Sequence, residues 1–170
     1  AFSGMPATVE QASAIEAWPL VDADAEVETV DIPNEGRLHV GFRATNLAGG
    51  LTRYVYAVHN LNSHRSVQSV SVAMPAGATV SNVQFGAPRY HSGEPHSHTP
   101  WAGSYNGSSV SWATQTFAQN SDANAIRWGT TYTFSFDSNL APLGTVDLGL
   151  FRPGTPSVVQ ASFVPPVPPP

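Results

Sequence analysis

The chain contains no cysteine and no lysine. The first absence removes disulfides, thiolate metal ligands and cysteine nucleophiles together. The second leaves seven arginines as the only permanent side-chain cations. Charge of either sign is scarce, at 11% of residues where globular domains average about 25%. No apolar run approaches the roughly 20 residues that a membrane-spanning helix needs, so no membrane span is expected. Neither His-Glu-x-x-His nor Gly-x-Ser-x-Gly occurs, so the commonest metalloprotease and hydrolase signatures are missing. A net charge of −5 with scattered arginines is a poor match to DNA or RNA, and no nucleic-acid partner is expected.

What is present is Ser, Thr, Asn, Gln and Gly among an ordinary share of apolar residues, 41%. In 170 residues that is enough for one domain with a core of its own. The chain opens "AFSGM", as a chain trimmed by signal cleavage would. Together with the absence of cysteine, this points to a bacterial exported protein, secreted or held at the cell surface.

Apolar residues recur mostly at period two. "SVQSVSVAM" puts Val70, Val72 and Met74 on one face, "TYTFSFDS" does the same with Tyr132, Phe134 and Phe136, and "TVDLGLF" with Val146, Leu148 and Leu150. Alternation rich in β-branched and aromatic residues predicts half-buried strands. "RLHVGFRA", "TRYVYAVHN", "SSVSWATQTF" and "SVVQASFV" bring the count to about eight or nine. The fold class expected is all-β, an antiparallel sandwich of immunoglobulin-like or jelly-roll-like form. Residues 59–66 read as a hairpin connection, and Trp128–Gly129 as a bend into the next strand. Residues 8–18 give the one helical pattern, with Thr8 capping and Gln11 three positions on.

Eight of the twelve acids fall in residues 1–36, and all seven arginines follow them. Three parts are therefore expected: an acidic extension over 1–36, the sandwich over 37–164 and a polyproline tail over 165–170. Asp22, Asp24, Glu26 and Glu28 would share one face of an extended strand. The EF-hand pattern fails there, because Val27 stands where Gly is required and Pro33 at the bidentate acid position. Charged positions on an edge strand prevent uncontrolled pairing. The same segment could instead add to a neighbour's sheet, and these four acids are the candidate assembly residues of a self-associating protein.

The densest chemistry lies in "RYHSGEPHSHTPW", residues 89–101. His96 and His98 have ligand-pair spacing, and His91 or Glu94 completes a candidate divalent metal site. A cupin pattern fails after His98, and Gly93, Pro95 and Pro100 make the stretch a loop. Without a metal these are solvated loop histidines, and no cofactor is otherwise implied. Carboxylate pairs for glycoside hydrolysis would have to combine Glu94 with Asp122, Asp137 or Asp147 across the fold, so the expectation is a protein that is not an enzyme. Trp101 and Tyr105 flank the loop and are the candidate glycan-stacking residues, whereas Trp112 and Trp128 sit in strand-like patterns where core packing is the default.

Three pieces carry a resemblance: "YHSGEP" (90–95), "NAIRWGTTYTFSFD" (124–137) and "LGLFRPG" (148–154). Over roughly residues 50–155 the chain resembles an uncharacterised secreted β-domain of environmental bacteria. The resemblance implies an exported β-fold with His91 and Glu94 in its framework, and transfers no catalytic residue. The function expected is an extracellular structural or adhesive domain that self-assembles by N-terminal strand addition. The alternative is a glycan- or metal-binding module built on the 90–105 loop.

Overall fold

The computed structural model describes residues 12–88 and 94–164. Ten strands form two antiparallel five-stranded sheets packed as a sandwich. The strands are β1 (Ala25–Ile32), β2 (Gly36–Asn46), β3 (Thr52–Asn60), β4 (Val67–Ala73), β5 (Val80–Gly86), β6 (Ala102–Tyr105), β7 (Ser109–Ala113), β8 (Thr131–Ser138), β9 (Thr145–Leu150) and β10 (Val158–Ser162). One sheet runs β1-β2-β3-β8-β5 and the other β10-β9-β4-β7-β6.

The register follows from the alternation. Tyr54, Tyr56 and Val58 of β3 stand opposite Phe136, Phe134 and Tyr132 of β8. Val70 and Val72 of β4 stand opposite Trp112 and Val110 on one side, and opposite Leu148 and Val146 on the other. These residues are buried and interleave between the sheets in one core. Each fully buried side chain of this size contributes about 2 kcal/mol. A one-residue slip in any of these strands would turn its apolar set to solvent, which fixes the pairing.

Residues 25–36 are not an extension. β1 pairs with β2 over eight positions within the same chain, from Ala25↔Arg43 to Ile32↔Gly36, and Val30 and Ile32 belong to the core. The acids at its start obscured the apolar pair at its end. Asp22 and Asp24 precede the strand, and Asp22 pairs with Arg43. Glu26 and Glu28 stand opposite Phe42 and Val40, on the core-facing side at the rim of the sandwich. The Glu28 carboxylate accepts the backbone N–H of Ser162 on β10. A charge turned inward on an edge strand blocks the docking of a further strand.

The helical reading over 8–18 is met in its described part; Thr8 and Gln11 fall outside the described residues. A 3₁₀ turn (Ala14–Ala17) runs into α1 (Trp18–Val21). Ser13 and Glu16 form the capping box. This short strap lies on the outer face of the first sheet. Gly41 makes room for it, since a Cβ there would stand 2.8 Å from the Trp18 ring. The stretch 59–66, read as a hairpin connection, ends β3 at Asn60 and then crosses to β4 in the other sheet.

Candidate functional site

The segment 121–130, just before β8, organises one end of the sandwich. Ile126 is fully buried and bridges to Val67. Gly129 (φ 75°) makes the turn into β8, a left-handed conformation that glycine adopts without strain. Trp128 is carried to the tip and is 73% exposed. Asn60 locks this turn. Its side-chain amide donates to the carbonyls of Ser63 (2.9 Å) and Ile126 (3.0 Å) and its side-chain oxygen accepts Ser63 N–H (2.7 Å). Its backbone N–H donates to Thr130 O, and its carbonyl accepts the Gly129 N–H.

The histidine loop lies along the same segment. Ser97 N–H donates to Asp122 O at 2.6 Å, and His96 Nδ1 lies 3.2 Å from Asp122 Oδ1. Asn124, itself buried, donates to Thr99 O at 2.9 Å and accepts the Tyr132 hydroxyl. Burial pushes the Tyr132 phenol up to about 12, so it is a hydrogen-bond donor throughout the physiological range.

Glu94, His96 and His98 thus come to line one cleft with Arg127, Trp128 and Tyr132, enclosing about 180 Å³. His96 turns to Asp122, and among the described residues no group of three or more His, Asp or Glu is arranged to hold a metal ion. His91 and Arg89 lie outside the described residues.

The tryptophans exchange the places expected of them. Trp101 is 3% exposed, stacks on Phe85 at 5.6 Å and donates its indole N–H to Asn124 O. It is a core residue, because the chain turns inward after Pro100 to start β6. Tyr105 is half-buried and donates its hydroxyl to Ala78 O at 3.0 Å. Neither offers a stacking face. Trp112 is buried as its strand pattern predicts. Trp128 is the exposed tryptophan, and the Gly129 that follows it was the available signal of a tip.

A second cavity of about 260 Å³ shares Arg127 and Trp128 with this cleft and is lined also by Ser63, His64, Ser66 and Arg152. Arg127 lies over the Phe151 ring at 5.3 Å and Arg152 over Phe117 at 5.0 Å. Burial, and then the charge of Arg152, push the Arg127 guanidinium below its ordinary range.

A separate polar row crosses the outer face of the first sheet, and the sequence reading did not single it out. His39 and His59, opposite each other on β2 and β3, stack with ring centroids 6.2 Å apart. Thr29 lies 3.2 Å from His39 Nδ1, Thr131 lies 2.9 Å from His59 Nδ1, and Glu16 of the strap is 4.0 Å from His39 Nε2. Burial, then the neighbouring His39, hold the His59 imidazole below its usual range. This row fastens the strap and has no cavity of its own among those described. Comparison with known proteins finds no family model, no curated protein and no solved structure that matches the chain.

Proposed function

We propose that this chain is an extracellular adhesive β-sandwich that holds a glycan in the Trp128 cleft. The observation that carries the reading is the exposed Trp128 indole beside a small polar cleft. A sugar ring presents C–H groups to an aromatic face and hydroxyls to surrounding donors and acceptors. Trp128 offers the face; Glu94, His98 and Thr130 line the cleft around it. Buried polar anchors hold these elements in place, which lowers the entropy that binding must overcome.

Adhesion through this cleft is favoured over assembly through the N-terminal strand. β1 is already paired with β2, and Glu28 engages β10 at the rim. A strand so occupied has little to donate to another subunit.

The test is binding of the whole chain to neutral cello-, xylo-, chito- and galacto-oligosaccharides by calorimetry, with Trp128→Ala alongside. At least one neutral series is expected to bind, to lose about 2 kcal/mol on truncation of the stacking residue, and to be recovered unhydrolysed. Equal affinity of wild type and Trp128→Ala, or no binding of any series, overturns the reading.

A further inference from the structure

The second cavity has a charge character the first lacks. Three of the seven arginines are paired with carboxylates: Arg37 with Asp31, Arg43 with Asp22 and Arg53 with Asp137. Arg65 is spent on the carbonyls of Arg152 and Pro156, and Arg89 lies outside the described residues. Arg127 and Arg152 remain; Arg127 commits Nη2 to the carbonyls of Ser121 and Ala123, which leaves Nε and Nη1 for another partner. Neither has a carboxylate at ion-pair distance among the described residues, yet both line one cavity with His64.

Asp122 and Glu94 act on Arg127 from outside this cavity, but two guanidiniums that share one wall with no carboxylate in it repel each other, and a bound anion relieves such an arrangement. The acids nearby lie elsewhere. Glu94 lines the first cleft and Asp122 holds His96, while Glu35 sits behind Ser63, accepting its hydroxyl and the Arg65 N–H. Among the described residues lining the second cavity there is no carboxylate. The aromatic rings under both arginines hold the guanidinium planes, so little side-chain freedom is lost on binding.

Trp128 forms part of both cavities. Resting on the glycan reading above, we infer that the second cavity is an anion subsite, and that the ligand is an acidic saccharide whose carboxylate or sulfate meets Arg127 and Arg152 while its ring lies on Trp128. The shared chemistry is a monoanionic oxygen group on a pyranose. A uronate and a sulfated sugar both supply it.

The experiment titrates the full chain with three probes of equal length: an oligogalacturonate, a neutral galacto-oligosaccharide and a sulfated galacto-oligosaccharide, at low and high salt. At least one acidic probe is expected to bind about tenfold tighter than the neutral one at low salt, the range of a charge-assisted hydrogen bond. The preference should vanish at high salt. Arg152→Gln should remove it and leave neutral binding unchanged. Which acidic probe leads identifies carboxylate or sulfate as the group taken.

If wild type binds the neutral and acidic probes equally, or if the preference survives in folded Arg152→Gln, the anion subsite is refuted while glycan binding stands. If no probe binds, the anion subsite falls, and the neutral series above decide the glycan reading separately. The wild-type preference and its salt dependence decide the matter even if Arg152→Gln does not fold.

Discussion

The indole N–H of Trp101 donates to the backbone carbonyl of Asn124, the residue whose side chain holds Thr99. A buried aromatic and a buried amide thereby fix both ends of the turn that brings the histidine loop back into the sheet. The loop's position is set from beneath as well as by the contact of His96 with Asp122.

Asn124→Ala should therefore act at a distance from its own side chain. It removes the nearer of the two acceptors of the Tyr132 hydroxyl, leaving Ala125 O at 3.3 Å, and frees Thr99 O, costing about 2 kcal/mol. Denaturant unfolding would show the lost stability. Hydrogen exchange of the loop amides, Ser97 above all, would rise well beyond what that global loss explains. Unchanged protection at Ser97 would mean that the loop is held by other contacts.

Asp137 is buried, and Arg53 grips it through Nε at 2.7 Å and Nη2 at 2.9 Å, with Asn82 a third donor. Hydrogen bonding from Arg53 holds its carboxyl below the usual carboxylate range, against the opposing effect of burial. The folded pKa thus lies below the unfolded value of about 3.9. The ionised carboxylate stabilises the fold above that value, and the contribution is lost as pH falls through the folded pKa. Asp137→Asn should cost about 2 kcal/mol at neutral pH and flatten the decline in melting temperature below about pH 4. Parallel acid limbs in the two proteins would place the sensitivity elsewhere.

His59 produces pH dependence in a different window. Its folded pKa is lowered from about 6.5, so the unfolded chain takes up its proton first as pH falls. Stability is full above the unfolded value and declines as pH drops through it toward the folded pKa. His39 on β2, Glu16 on the strap and Thr131 on β8 all face this ring; Glu16 opposes the shift and His39 adds to it. His59→Gln should reduce the loss of melting temperature between about pH 7 and pH 5. An identical profile would assign that loss to other groups.

Glu28 is expected to matter for what the molecule avoids. Glu28→Val removes the carboxylate that engages Ser162 and extends the apolar face of β1 to the rim, leaving an edge that a second copy can use. Light scattering should detect self-association that Glu28→Gln does not produce. Monomeric Glu28→Val at high concentration would show that the edge is guarded by other means.

Strands were the legible part of this sequence, because period-two burial leaves a direct trace. The ladder of Tyr132, Phe134 and Phe136 needs nothing from the rest of the chain to be read. β1 was legible only in half: its first residues are acids at the sandwich rim, and composition there outweighed Val30 and Ile32. The exchange between Trp101 and Trp128 shows the limit. Ile126 takes the buried place near the start of β8, through a single bridge to Val67 more than fifty positions away. No local pattern reveals which of two neighbouring apolar residues wins that place. The pairing of His39 with His59 was hidden for the same reason, since it exists only once β2 and β3 are in register.

The lock that Asn60 places on the turn before β8 has a kinetic consequence. A platform already held in its bound shape requires no rearrangement on encounter, so association should run near the limit set by diffusion and orientation. Differences among saccharides would then appear in how long each one stays.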